Sequence, residues 1–426
     1  MTNTGPESPV PPAPSGGGGA GLRPGGADAG EGREEPLEGR RIWFVGIGGA
    51  GLSAYATIAA AWGAEVGGWD RVETPYLEPL RKHELVIAPE PVVPESWEVV
   101  VSTAFASRVE GKSRAEFLAE LVSLRDSIVV AGAHGKTTTS GMIAFVLDRL
   151  GRDPAFAIGG EVPQLGGNAG AGQGWFVVEG DESDRTIASL RPKIAVVLNV
   201  DLDHHTEFAS LEEVRRLFDE WLTHVPQVVR ADEFEPVDFE LALAGEHNRI
   251  NAAAALAALE LAGIEPRDAR PHLAEFEGAA RRFELRGEAG GVLVYDDYAH
   301  HPAEIAATLT AARDLAQRRL LVLFQPHLYS RTLHLAYEFG QALAAADAVA
   351  VADIYPAREE PLDGVTGKLV VDAVSQARPG MRIGWMPEAV AGAQWLARLA
   401  RPGDVVLTVG AGNVDDAVPV LLAELA

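Results

Sequence analysis

Ser127-Ile-Val-Val-Ala-Gly-Ala-His-Gly-Lys-Thr-Thr-Thr-Ser-Gly-Met-Ile-Ala-Phe-Val-Leu-Asp-Arg-Leu150 decides how this chain is read. The β-branched run Ile128, Val129, Val130 predicts a buried strand, and Gly132 to Gly135 a tight turn. Met142, Ile143, Val146, Leu147 and Leu150 recur at helical spacing, so a helix follows the turn. Strand, glycine turn, Lys-Thr and helix make a phosphate cradle, because backbone N–H groups and the dipole at a helix N-terminus both favour an anion. Lys136 would lie along the β- and γ-phosphates, and the hydroxyl of Thr137 or Thr138 would reach Mg²⁺. The strict P-loop pattern asks for a glycine where this chain has Val130, so the cradle is a variant of that loop.

Upstream, Arg41-Ile-Trp-Phe-Val runs as a strand into Gly46-Ile-Gly-Gly-Ala-Gly51. A helix from Leu52 to Trp62 and a second strand ending at Asp70 complete a Rossmann-type unit with Asp70 at the ribose. The glycines recognise a pyrophosphate and leave the identity of the nucleotide open. The strand Val99–Thr103 and the helix Ala115–Leu124 close this domain near residue 126. Residues 1–38 are dense in Gly, Pro and Ala and are expected to be a disordered tail.

Downstream, Trp175-Phe-Val-Val-Glu179 is an apolar strand ending in a carboxylate, followed by Gly-Asp-Glu-Ser-Asp184. A strand-end carboxylate beside a phosphate loop is where Mg²⁺ is held, and Glu179 takes that role; the acidic turn after it reads equally well as solvated surface. The strand Ile194–Val200 runs into Asp201-Leu-Asp-His-His205, a second cluster that would suit another cation with His204 as its nitrogen ligand. Asn248 and Asn251 share one face of an alanine-rich helix, either to bond a purine edge or as caps. Beyond Arg281-Arg-Phe a boundary is expected near Glu288. The strands Val292–Asp297, Leu320–Phe324, Ala348–Asp353 and Val405–Val409 alternate with helices, which predicts a third parallel sheet. Histidines, Asp296, Asp297 and Arg331 crowd its carboxyl ends, where open α/β sheets place ligands.

With 426 residues, 47% hydrophobic and 23% charged, the chain has the composition of a multidomain globular protein. A net charge of −25 argues against a nucleic-acid partner. The absence of cysteine excludes disulfides, a thiol nucleophile and a cysteine zinc site. No 18-residue apolar run and no signal-peptide core are found, so no membrane insertion and a cytoplasmic location are expected.

Taken in order, these stretches resemble the Mur ligases. The likeness rests on Phe44–Gly51, Gly132–Thr139, Glu179–Asp184, Asp203-His204, His247–Asn251, Asp296–Pro302, Phe324–His327 with Tyr329–Arg331, and Asp353–Glu360. It implies an α/β enzyme of three domains: a Rossmann-like UDP-binding domain (39–126), a P-loop-type central ATPase domain (127–287) and a Rossmann-like C-terminal domain (288–426). The implied activity joins L-alanine to the lactyl carboxylate of UDP-N-acetylmuramate with ATP and Mg²⁺, in peptidoglycan precursor synthesis, by a monomer or dimer. By resemblance, Gly48, Gly49, Ala50, Gly51, Ser53, Asp70, Ser102 and Thr103 hold the UDP-sugar. Gly132, Ala133, His134, Gly135, Lys136, Thr137, Thr138, Asn248, Asn251 and Arg282 hold ATP, and Thr137, Glu179 and His204 hold Mg²⁺. Tyr298, His300 and Arg331 receive the amino acid, with Lys136, His300 and Arg331 in the catalytic roles. Where many relatives carry Arg after Phe-Gln-Pro-His, this chain has Leu328. An NAD-dependent oxidoreductase would explain Gly46–Gly51 and Asp70 but leave Lys136 and Glu179 idle. A peptide-recycling ligase of the same family differs from the implied enzyme in the residue between Glu182 and Asp184.

Overall fold

The computed structural model describes residues 35–182, 185–201, 208–357 and 359–426. His204 and its neighbours 202–207, Ser183, Asp184 and Arg358 lie outside the described residues, and with them the metal role expected of His204. Three sheets succeed one another along the chain.

The first is parallel, ordered Glu84–Ile87, Glu65–Asp70, Arg41–Val45, Glu98–Val101, Lys112–Ser113. Its helix runs Ala50–Ala61, two residues ahead of the expected start, because the small residues after Gly49 already take helical geometry. Leu37, assigned to the tail, is fully buried and donates its N–H to Trp62 O at 2.8 Å.

The second sheet is ordered Gln227–Arg230, Ile194–Val197, Ser127–Ala131, Phe176–Gly180, Ala155–Val162, Gly167–Ala171. Ser127–Ala131 is buried at every position, as its unbroken β-branched run requires in the centre of a parallel sheet. Ala131 is in register with Val197 on one side and Gly180 on the other. That register brings the turn after Ala131, the acidic turn after Gly180 and Asn199 to one edge. The last strand pairs antiparallel with Ala155–Val162, and this hairpin was not legible in its Gly-rich sequence.

The third sheet is ordered Glu284–Ala289, Val292–Asp297, Val405–Val409, Leu320–Phe324, Ala348–Val351, Arg382–Trp385. Its first pair is antiparallel, which corrects the expectation of an all-parallel sheet. Gly290 and Gly291, at φ 56 and 72, turn the hairpin, and positive φ at both turn positions suits a tight connection. Residues 284–287 therefore belong to the third sheet, ahead of the boundary expected near 288. The first two sheets share a continuous apolar cluster running from Phe44 and Trp62 to Val129 and Phe176. Among the described residues no helix is long and apolar enough to cross a membrane.

Candidate active site

The phosphate loop keeps the form its glycines dictate. Gly132 and Gly135 have φ 141 and 84, a region closed to most side chains. A Cβ on Gly135 would lie 2.8 Å from Asn251 Oδ1, and one on Gly132 would lie 2.9 Å from Asn199 O. Asn199 clamps the loop at two points: its Oδ1 accepts from His134 N at 2.8 Å and its Nδ2 donates to His134 O at 3.0 Å. The helix Lys136–Arg149 begins directly after Gly135, so its first-turn N–H groups, which lack intrahelical acceptors, face the loop.

Lys136 Nζ donates to Gly132 O at 2.6 Å and lies 3.1 Å from both carboxylate oxygens of Glu182, which is 2% exposed. Burial alone would lower the lysine, but the carboxylates of Glu182, Asp181 and Glu179 reverse this and hold its ammonium above the ordinary lysine range. The solvated-surface interpretation of the acidic turn is thus wrong for Glu182. Glu179 Oε1 accepts from Gly159 N at 2.7 Å, and the residue stands with Thr137 on the wall of a cavity of about 370 Å³.

That cavity draws on all three parts of the chain. Ala50, Gly51, Tyr55 and Arg114 come from the first sheet's helices; Gly135, Lys136, Thr137, Glu179 and Asp181 from the second; Arg282 from the linker; His300 and Glu304 from the third. A second cavity, of about 230 Å³, adjoins it across Gly135, Arg282 and Glu304 and is lined by His134, Thr138, Asn248 and Asn251. Both asparagines are buried, and Asn248 Nδ2 donates to Ala244 O at 2.7 Å. They line the cavity as well as supporting the turn of the helix.

The remaining glycine-loop residues gather at the carboxyl end of the first sheet. Asp70 is buried and accepts from Gly48 N at 2.7 Å through Oδ2 and from Arg71 N at 2.7 Å through Oδ1. Both its oxygens brace backbone, so Asp70 shapes the glycine loop in addition to any contact with a ribose. Ser102 packs against Gly46, where a Cβ would meet its Oγ at 2.5 Å, and Thr103 follows it. Ser53 Oγ donates to Ala50 O at 3.0 Å within its own helix, so its hydroxyl serves the backbone.

In the third domain, His300 Nδ1 lies 3.0 Å from Tyr298 O. A carbonyl only accepts, so Nδ1 carries the hydrogen and Nε2 is the nitrogen able to take a proton. The rings of His300 and His327 are 6.0 Å apart, and Arg331 Nη1 is 3.5 Å from His327 Nδ1. Arg331, buried, reaches His300 through His327, and neither it nor Tyr298 lines the larger cavity. Burial, with the charges of His300 and Arg331, pushes His327 down to about 4, so it is neutral near pH 7. Burial pushes Asp297 up to about 6 against the pull of Arg282 and the N–H groups of Ala299 and Phe283.

Glu304, Arg114 and Asn199 escaped the sequence reading, which left the role of Glu182 open. For Glu304 a signal existed, an acid three residues after the residue before a helix-opening proline. For the other two, the partner is distant in sequence.

The first segment, residues 41–125, matches the model described as Mur ligase family, catalytic domain; residues 130–233 match the Mur ligase middle domain; and residues 281–412 match the Mur ligase glutamate ligase domain. A UDP-N-acetylmuramate–L-alanine ligase of Streptomyces coelicolor is 38% identical, with 90% of this chain and 97% of the relative covered. The ligase of that name from Renibacterium salmoninarum is 40% identical, with 91% and 96% covered. The crystal structure of UDP-N-acetylmuramate-alanine ligase from Thermotoga maritima superposes with a TM-score of 0.70 at 25% identity, over 90% of this chain and 98% of the other. With such relatives along nine-tenths of its length and three family segments in sequence, the chain belongs to the Mur ligase family.

Proposed function

We propose that this chain is an ATP-dependent ligase that joins L-alanine to the lactyl carboxylate of UDP-N-acetylmuramate, releasing ADP and phosphate, in the building of peptidoglycan precursors. The observation that carries this is the larger cavity, whose wall combines the glycine-loop helix, the phosphate loop and the His300 loop. A carboxylate, a triphosphate and an amine must meet in one water-poor space for such a reaction, and the curated relatives carry this activity in their names.

Lys136 and the first-turn amides would neutralise the terminal phosphates of ATP, the co-substrate, while a substrate carboxylate oxygen attacks the γ-phosphorus and ADP leaves. The donor set suits Mg²⁺: the Glu179 carboxylate and the Thr137 hydroxyl, hard oxygen donors on one cavity wall with Lys136, would hold it. When bound, the ion would offset the charge developing on the phosphates. The alanine amine then attacks the activated carbonyl, the C–N bond forms, and phosphate departs. His300 Nε2 takes the proton lost by the amine. Arg331, with His327 between, lends positive charge on the side where the amino-acid carboxylate approaches.

Purified protein with ATP, Mg²⁺ and UDP-N-acetylmuramate should release ADP only when L-alanine is added. ADP release unaffected by alanine, or turnover of NADH, would refute this function.

A further inference from the structure

Glu304 stands on the walls of both cavities. Its Oε2 accepts from His300 N at 3.0 Å and from His301 N at 3.2 Å, closing the start of the helix Pro302–Leu315. Its Oε1 points the other way, 3.2 Å from Nδ1 of His134 in the phosphate loop and 3.8 Å from Nη1 of Arg282 in the linker. The His134 and His301 rings lie 5.1 Å apart, extending the same contact. We propose that Glu304 is a positioning residue that ties the phosphate loop to the amine-receiving loop, one oxygen on His134 and the other on the His300–His301 backbone.

A carboxylate that merely closes a capping box needs only backbone N–H groups and sits at the surface. Glu304 differs on both counts: its side chain is 12% exposed, and its second oxygen faces His134 of the central loop at 3.2 Å and Arg282 of the linker at 3.8 Å. Burying a carboxylate is unfavourable unless it is paired. Its partners come from three stretches of chain, and they offset that cost only when all three are assembled. The charge therefore favours the arrangement in which Lys136 and His300 face the same cavity. Burial opposes the charge of Glu304, yet His300, His134 and Arg282 hold its carboxyl well below the usual range, so it is ionised at neutral pH. The same carboxylate lies 3.5 Å from His300 Nδ1, on the side opposite the proton-accepting Nε2. An imidazolium formed there as the amine loses its proton would be stabilised, as a buried carboxylate behind a catalytic histidine does.

This inference rests on the ligase function proposed above, and its test separates the two. Alanine-dependent ADP release is measured for the parent, Glu304→Gln, Glu304→Asp, His134→Asn and the Glu304→Gln/His134→Asn double variant, with folding checked by thermal unfolding. Gln keeps the shape and the backbone acceptor but loses the charge. We expect kcat to fall by about tenfold or more in Glu304→Gln, with KM for the UDP-sugar within about twofold of the parent and partial recovery in Glu304→Asp. The double variant should be little worse than either single one, because both changes break one contact. A parent-like kcat in Glu304→Gln, or strictly additive losses in the double variant, would overturn the proposal. If Glu304→Gln is too unstable to assay, a parent-like kcat in His134→Asn overturns it equally. A parent that shows no alanine-dependent ADP release refutes the ligase function instead.

Discussion

Lys136 is held in place by Gly132 O and by buried Glu182, so its removal touches both the phosphate role and an ion pair of the fold, and activity and unfolding are read separately. Lys136→Ala should abolish alanine-dependent ADP release in a protein that still folds, with a lowered thermal unfolding midpoint because buried Glu182 loses its ammonium partner; near-normal turnover would remove the phosphate-loop assignment. Gly135→Ala asks a different question. Its φ of 84 and the 2.8 Å approach of Asn251 Oδ1 leave no room for a methyl group, so the variant should lose ATP affinity by displacing Asn251, measured by titration with a fluorescent ATP analogue. Asp297 gives a pH signature. Its carboxyl is pushed from 3.8 up to about 6 by burial, so the folded state binds this proton more tightly than the unfolded chain does. The resulting stabilisation is complete below about pH 4 and lost as pH rises through about 6, a swing of about 3 kcal/mol. Asp297→Asn should therefore gain stability relative to the parent between pH 5 and pH 7 in urea unfolding, and a relative loss over that range would count against the buried-acid description. Residues such as Lys136 and Glu179 were legible because local spacing alone gives them meaning. Glu182 and Glu304 were not, because a carboxylate in a polar turn or a helix's first turn is ordinary until a distant partner is known.

Elements followed the same division. Runs such as Ile128–Val130 and Leu320–Phe324 announced themselves because a strand buried on both faces has nothing but apolar residues to show. The hairpins Ala155–Ala171 and Glu284–Asp297 were missed, since Gly167–Ala171 holds only glycine, alanine and one asparagine and Glu284–Ala289 is polar and half exposed. The junction between the first helix and the second sheet also emerged only in three dimensions. Trp62, at the end of the helix Ala50–Ala61, is fully buried, meets Phe176 edge-on with centroids 5.6 Å apart, and donates its Nε1–H to Gly172 O at 3.1 Å. Trp62→Ala would remove that aromatic contact and orphan the carbonyl, at a cost of about 3–5 kcal/mol. A denaturant midpoint within error of the parent would show that the junction contributes little.

The two kinds of junction differ in chemistry, and that difference sets what moves. The first and second sheets are joined by apolar packing around Trp62 and Phe176, and parting them would expose that surface at about 25 cal/mol per Å². The third sheet has its own apolar clusters, beginning at Val292 and Phe283, and meets the rest mainly through polar contacts: Ala280 N to Glu161 O, Tyr298 N to Arg281 O, and Glu304 to His134 and Arg282. Such groups regain water partners when they part, which exposed apolar surface does not. Arg281 and Phe283, at φ 56 and 53, mark the linker as the place where the chain direction is set by individual residues. The body that moves on substrate binding should accordingly be the third domain, with the first two carried as one. The chain has no cysteine, so paired cysteines introduced at exposed positions report distances without interference. Dyes at Val72 and Asp148 span the first and second domains, and dyes at Val72 and Tyr337 span the first and third. On adding a non-hydrolysable ATP analogue with UDP-N-acetylmuramate, transfer efficiency should change for the second pair and stay constant for the first. An equal change in both pairs would mean that the apolar junction yields, and that the fused pair of domains is not the rigid partner in closure.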